Sequence, residues 1–351
     1  MPTEMSTASR PQLAQILICS LALLVLHVVL AQTAKAATFT LYDGPAGGSP
    51  GSQPWLTYAE FGDALEAVNS GTTTLDSTAA DSAGYNNYGF NLALKNANFP
   101  TLDRTSGFRF SFTVSVNSES HTGTNGTNRA GFSAIALGSD KQGIELGFWT
   151  DRVWAQEGGS QNLFTKAESS LTNTTNLRTY NLTIVGNSYL LSSGTTSILS
   201  GNVRSYTAFS GFPDVYEFPN FVFLGDNTSS AHANVTLTNV SISTLVRADM
   251  NGDAQLDFED VLAFEDAVSD TQAYLRKYGL GDWKLRGDLD GDGDVDNFDV
   301  EPLRLALGIV VDPPVAEALV AVPEPAARTL LALGALAGLL WKRRRVSVLS
   351  T

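Results

Sequence analysis

Two stretches of this chain repeat oxygen-bearing side chains at one spacing. The first runs Asp249-Met250-Asn251-Gly252-Asp253-Ala254-Gln255-Leu256-Asp257-Phe258-Glu259-Asp260, the second Asp288-Leu289-Asp290-Gly291-Asp292-Gly293-Asp294-Val295-Asp296-Asn297-Phe298-Asp299. Numbered from 1 to 12, each carries side-chain oxygens at positions 1, 3, 5, 9 and 12. Position 7, Gln255 in one and Asp294 in the other, can add a backbone carbonyl. A hard cation that takes six to eight oxygen ligands at about 2.3–2.6 Å needs such a set, so two Ca2+ sites are expected. Position 12 is Asp260 or Asp299, one methylene shorter than the Glu of an EF-hand. Gly291 and Gly293 let the second loop turn sharply. The first has Gly252 but Ala254, and is expected to be the weaker or more strained site. Leu256 and Val295, at position 8, are expected to join the loops through a short bridge and anchor them to a core.

Other reactive chemistry is sparse. The one cysteine, Cys19, lies near the N-terminus, which excludes a disulfide scaffold and a cysteine-ligated zinc site. No Gly-x-Ser-x-Gly occurs, and His121 and His232 are far apart. A retaining glycosidase needs two carboxyl groups about 5–5.5 Å apart, which jelly-roll glucanases supply from an E-x-D-x-x-E strand. Here Glu145 stands alone on Ile144-Glu145-Leu146-Gly147-Phe148-Trp149 and is expected to pair with Arg129 or Arg152. No catalytic residues are assigned. For sugar contact, Tyr85, Tyr88, Trp149 and Trp154 offer aromatic faces, and Asn86, Asn87, Asp226 and Asn227 offer hydrogen bonds; core packing of the tryptophans and a turn at Asp226-Asn227 are the alternatives.

The elements that position these groups follow from composition. The 351 residues carry a net charge of −14, with 17% charged and 43% hydrophobic side chains. That is neither a disordered polyampholyte nor a collagen. With no basic stripe, nucleic-acid binding is not expected. Residues 247–308 hold sixteen acidic and six basic side chains, net −10, so the acidity is concentrated around the two loops. Helices are expected over about 258–268 and 297–307, with Val261, Leu262, Phe264 and Val268 on one apolar face and Leu303 and Leu307 on the other, and a connecting helix at 274–278. So much acid cannot condense without a cation, so calcium is expected to order this segment.

A calcium loop followed by one helix, duplicated within about 60 residues, resembles a type I dockerin. The resemblance implies a cohesin-like partner and docking residues just before the last ligand, Phe258-Glu259 in one copy and Asn297-Phe298 in the other.

Both ends read as addresses. Arg10, an apolar run from Ile16 to Ala31 and Ala34-Lys35-Ala36 form a secretory signal peptide over 1–36, cut by signal peptidase. At the other end come Pro323-Glu324-Pro325, an apolar run over 329–341 and Lys342-Arg343-Arg344-Arg345. Thirteen helical residues span about 20 Å, short of a ~30 Å hydrocarbon core. This tail, residues 322–345, resembles a PEP-CTERM sorting signal with Pro323, Glu324 and Pro325 as its motif and Arg343, Arg344 and Arg345 in its basic stop. It implies handling by an exosortase, membrane attachment before processing, and residence at the cell surface or matrix of a bacterium. A linker is expected at 309–321.

Residues 37–246 lack a 3.6-residue period. Phe108-Arg109-Phe110-Ser111-Phe112-Thr113-Val114-Ser115-Val116 alternates strictly, its even positions facing a core. Gly186-Asn187 turns a hairpin between two further alternating runs. Eleven to thirteen strands are expected, in a mainly β, antiparallel sandwich or jelly roll; the hairpin around Gly186-Asn187, followed by Gly194, resembles lectin-like jelly rolls of the concanavalin and laminin-G kind. Tyr42-Asp43-Gly44, Pro100-Thr101-Leu102-Asp103-Arg104, Arg129-Ala130-Gly131-Phe132-Ser133, Gln142 to Trp149 and Phe223 to Ser230 resemble a choice-of-anchor type Y domain, a resemblance that implies no activity. The expected protein is non-enzymatic, with calcium-dependent docking and polysaccharide contact; the alternative is a component of a polysaccharide-degrading assembly carrying glycoside hydrolase activity.

Overall fold

A computed structural model of the chain describes residues 36–77, 82–121 and 126–308. The signal segment up to residue 35, the linker and the sorting residues Pro323, Glu324, Pro325, Arg343, Arg344 and Arg345 lie outside them. Among the described residues no helix is long and apolar enough to cross a membrane.

Two eight-stranded antiparallel sheets face one another. The first holds β1 (Thr38–Asp43), β3 (Leu65–Asn69), β4 (Thr72–Asp76), β6 (Phe108–Ser120), β11 (Arg178–Val185), β12 (Ser188–Ser193), β13 (Thr196–Asn202) and β16 (His232–Thr244). The second holds β2 (Thr57–Phe61), β5 (Ser82–Asn86), β7 (Ser133–Leu137), β8 (Gln142–Phe148), β9 (Arg152–Gln156), β10 (Lys166–Leu171), β14 (Arg204–Ser205) and β15 (Val222–Asp226). The sixteen strands among the described residues exceed the eleven to thirteen expected, because short and weakly alternating runs such as β3 and β14 pair as well. The mainly β, two-sheet architecture is the one the sequence pattern called for.

The alternation in β6 does what its period requires. Phe108, Phe110, Phe112 and Val114 are buried between the sheets, while Arg109, Ser111 and Thr113 point away. Phe112 sits at the centre: its ring lies 5.7 Å from Tyr180 of β11, 5.9 Å from Phe148 of β8 and 6.4 Å from Phe132. Burial of each such ring stabilises the fold by roughly 1.5–3 kcal/mol, and Phe112→Ala would cost about 3–5 kcal/mol.

The second sheet is covered on both faces. The chain from Tyr206 to Phe221 folds over its outer side, where Tyr206, Tyr216 and Phe221 pack on Ile135 and Leu137 of β7. In consequence β8 is buried at almost every position, Glu145 included. Close approach leaves no room for side chains at two of its glycines: a Cβ on Gly143 would meet the Ala136 carbonyl at 1.9 Å, and one on Gly147 the Trp154 ring at 2.6 Å.

Beyond the sandwich the chain forms α1 (Phe258–Ser269), α2 (Thr271–Tyr278), α3 (Trp283–Gly287) and α4 (Val300–Ala306), the last preceded by a 3-10 turn at Asn297–Asp299. Asp257 caps α1 by accepting from Glu259 N, Asp270 caps α2, and Gly279, at φ 69°, ends α2 in the left-handed conformation. Ala248, Met250, Ala263, Phe264, Ala267, Tyr274 and Leu303 form a small core of their own. Leu256 and Val295 both pack on it, but no β-bridge joins them; the expected link between the loops is made through this core instead. The helical segment rests on the first sheet, where Asp282 pairs with Arg109 and accepts from Thr183 Oγ1 at 3.2 Å. The described residues form one compact unit.

Candidate functional site

The two acidic loops are built alike. In the first, Asp249 accepts from Gly252 N at 2.7 Å and Ala254 N at 3.2 Å; in the second, Asp288 accepts from Gly291 N at 2.8 Å and Gly293 N at 3.1 Å. Positions 3 and 5 repeat the pattern: Asn251 and Asp253 accept from Asp253 N and Gln255 N, and Asp290 and Asp292 from Asp292 N and Asp294 N. Position 12 closes each loop. Asp260 accepts from Met250, Asn251 and Asp257 N–H groups, Asp299 from those of Leu289, Asp290 and Asp296. Asp257 and Asp296, at position 9, cap the following helical turns.

In the second loop, carboxylate oxygens of Asp288, Asp290 and Asp292 lie within 4.8 Å of one another. Hard, anionic oxygens at that spacing fit a calcium-sized cation. Each still has a lone pair free after the amide bonds described, and Asp294, Asp296 and Asp299 stand close in sequence to complete the shell. Crowding and burial act on protonation as expected for such a group: burial first, then Asp299 and Asp292, push the Asp288 carboxyl up.

The first loop differs in charge. Its position 3 is the neutral Asn251, and Arg286 of α3 reaches Asp249 Oδ2 with Nη1 at 3.2 Å and the Asp249 carbonyl at 2.9 Å. A guanidinium therefore already offsets the position-1 carboxylate. Ala254 stands at φ 68°, a conformation that costs a non-glycine residue about 1–2 kcal/mol. Both features set the first loop apart from the second. Arg286 was beyond sequence reasoning, since it lies 37 positions from Asp249.

The four residues expected to meet a partner are outside these shells. Phe258 is 64% and Phe298 74% exposed, and Glu259 and Asn297 beside them are exposed too. Large aromatics left in water just before the last ligand of both loops, at position 10 in one and 11 in the other, are unusual enough to mark a surface.

The proposed sugar contacts need correction. Tyr85 lies in the core, 2% exposed, its hydroxyl donating to Glu66. Tyr88 is covered by Phe218 at 4.7 Å and donates to the Pro219 carbonyl. Trp149 is 7% exposed, stacked under His121 at 3.6 Å and bonded to the Arg129 carbonyl. Trp154 is fully buried. None presents a face to a ligand, because each hydroxyl or indole group meets a protein partner or is enclosed. Asn87 is buried as well, holding the Asn220 carbonyl and Val222 N.

Glu145 is fully buried under the loop that covers β8. It accepts from the Tyr216 hydroxyl and from Asn227 Nδ2 at 3.0 Å, with Arg129 Nη1 3.8 Å away. The pairing with Arg129 is therefore present, and Arg152 instead contacts Asp151. Both oxygens of Glu145 have protein partners, so this carboxylate serves to fasten the cover onto the sheet. Asn86, Asp226 and Asn227, by contrast, meet around one cavity with Arg129.

No family model matches the chain, and no curated protein matches it. Solved structures overlap loosely. A carbohydrate esterase from the Shiga toxin-encoding bacteriophage phi24B is 13% identical with a TM-score of 0.41, over 60% of this chain and 100% of that one. A galectin-like protein from Bacillus subtilis is 9% identical, TM-score 0.35, over 59% and 97%. The VIP36 exoplasmic/lumenal domain, in a form bound to Ca2+ and a mannose-containing glycan, is 10% identical, TM-score 0.34, over 62% and 94%. Overlaps this loose transfer neither a site nor a substrate.

Proposed function

We propose that this chain is an exported, non-enzymatic protein of a bacterial cell surface or matrix, in which a calcium-loaded helical segment docks a protein partner and the β-sandwich contacts polysaccharide. The observation that carries the reading is the convergence of Asp288, Asp290 and Asp292 in a loop whose pattern is duplicated at Asp249–Asp260. Residues 288, 290, 292, 294, 296 and 299 would hold one Ca2+, and residues 249, 251, 253, 255, 257 and 260 a second, weaker one. The ion supplies the positive charge that lets net acid condense on a small apolar core.

Docking follows from what the ions fix. Phe258-Glu259 and Asn297-Phe298 begin the helical turns capped by Asp257 and Asp296, so ordering the loops orders the surface a cohesin-like partner would grip. Because the copies differ there, one binding orientation is favoured over two. Signal peptidase and an exosortase act during export in this reading, and the C-terminal segment holds the chain in the membrane until processed. The non-enzymatic reading is supported by Glu145, the strand carboxylate weighed for catalysis, being bonded on both oxygens.

Calcium titration of the full chain by isothermal calorimetry tests the reading. Two sites of unequal affinity are expected, and Asp288→Ala with Asp299→Ala should remove the tighter one. No calcium-dependent heat at millimolar ion would overturn it.

A further inference from the structure

We propose that a cavity on the outer face of the second sheet, flanked by Phe61 and Phe212, binds a single neutral sugar residue. The proposal rests on the polysaccharide half of the reading above and gives it a location.

The cavity measures about 190 Å3, below the 300–1,000 Å3 of pockets for drug-sized ligands, so it suits one ring rather than a run of several. Strands β2, β5 and β15 form its floor, and the chain from Phe209 to Tyr216 its wall. Two aromatic rings at its edge are left in water: Phe212 is 95% and Phe61 49% exposed. Neither is explained by packing in the monomer. Elsewhere in the sandwich aromatic rings of this size are mostly enclosed. Ring faces take up the apolar C–H side of a sugar.

Between those rings lie groups suited to hydroxyls. Arg129 Nη1 is buried with no hydrogen-bond partner, while Nη2 is directed at the Asn227 carbonyl and Oδ1, 3.3–3.4 Å away. Nη1 faces Glu145 Oε1 at 3.8 Å, so it is Arg129's partly exposed remainder that lines the cavity. Asn86 and Asn227 complete the polar lining, while Asp226, 1% exposed, has its oxygens taken by Ser77 Oγ and Thr228 N.

Charge selects the class. The guanidinium of Arg129 is offset by Glu145, 3.8 Å away. Burial pushes the Asp226 carboxyl up to about 8, against the bonds from Ser77 and Thr228 that lower it, so near neutral pH this group is mostly uncharged. The site therefore has little net charge to attract a carboxylated or sulfated sugar, and its hydrogen-bonding groups match hydroxyls.

The test uses the full chain in calcium against immobilised cello-, xylo-, manno- and galacto-oligosaccharides, with oligogalacturonate as an acidic control. Wild type should retain at least one neutral oligosaccharide, and Phe212→Ala and Phe61→Ala should each weaken it by about tenfold. Because Phe212 is almost wholly exposed, its variant should melt where wild type does, and the variant of the half-buried Phe61 should stay folded with a melting point slightly lower. Binding by wild type that both variants preserve would overturn this site and leave polysaccharide contact standing. Preference for oligogalacturonate would overturn the neutral-sugar assignment, and no binding to any probe would overturn the polysaccharide reading as well.

Discussion

Arg109 of β6 and Asp282, just ahead of α3, form an ion pair that ties the sandwich to the helical segment. The same carboxylate accepts from Arg286 Nε at 3.2 Å, and Arg286 in turn reaches Asp249 of the first acidic loop. A chain of alternating charges thus runs from the outer face of the first sheet to a candidate calcium ligand, with Asp282 1% exposed and Arg286 6% exposed along it.

Breaking that chain should be costly. Asp282→Asn leaves two guanidinium groups without their shared partner, and removal of one member of a buried pair typically costs 3–5 kcal/mol. Thermal unfolding of the variant at pH 7 should show a loss of about 3 kcal/mol or more. A loss below ~1 kcal/mol would show that solvent already screens the pair.

The same residue sets an acid limit. Burial alone would raise the Asp282 carboxyl, but Arg286 and Arg109 outweigh it and hold it at about 2. A depressed carboxyl contributes stability above its unfolded value near 4, and that contribution is lost as pH falls from about 4 towards 2. Melting curves through this window should fall more steeply for wild type than for Asp282→Asn.

Asp226 has the opposite sign. Its carboxyl is raised to about 8 by burial, so the folded state holds a proton that the unfolded chain releases near pH 4. Stability from this group is therefore full below about pH 4 and declines as pH rises towards 8. Asp226→Asn keeps an acceptor for Thr228 N and can donate to Ser77. It should flatten that decline and melt higher than wild type at pH 8; a lower melting point there would contradict the assignment.

Ala254 offers a stabilising change. At φ 68°, Ala254→Gly should relieve about 1 kcal/mol of backbone strain and tighten calcium binding in the first loop, bringing it nearer the second, which has Gly293 at that position. Calorimetric titration should show the two sites drawing together.

The fold was legible where one face of a strand meets the core and the other does not. β6 alternates because Arg109, Ser111 and Thr113 look outward while Phe110 and Phe112 look in. The helices of the acidic segment were legible from Phe264 and Leu303, which turn to the small core, although Leu262 and Val268 of the expected apolar face are exposed. β8 hid its second buried face, because glycines and a glutamate do not announce that a loop will cover them. The sugar platform misled because a tyrosine's sequence neighbours do not reveal whether its hydroxyl will find Glu66 or water. Phe212 lay in an irregular stretch without period, so only the structure leaves its ring bare.

The central claim is that divalent cation orders the paired acidic loops, and hydrogen exchange along the full chain measures it most directly. In calcium, amides of residues 249–260 and 288–299 should exchange slowly; with chelator they should exchange at least about tenfold faster while β6, β11 and β16 are unchanged. Equal protection in calcium and in chelator would contradict the account.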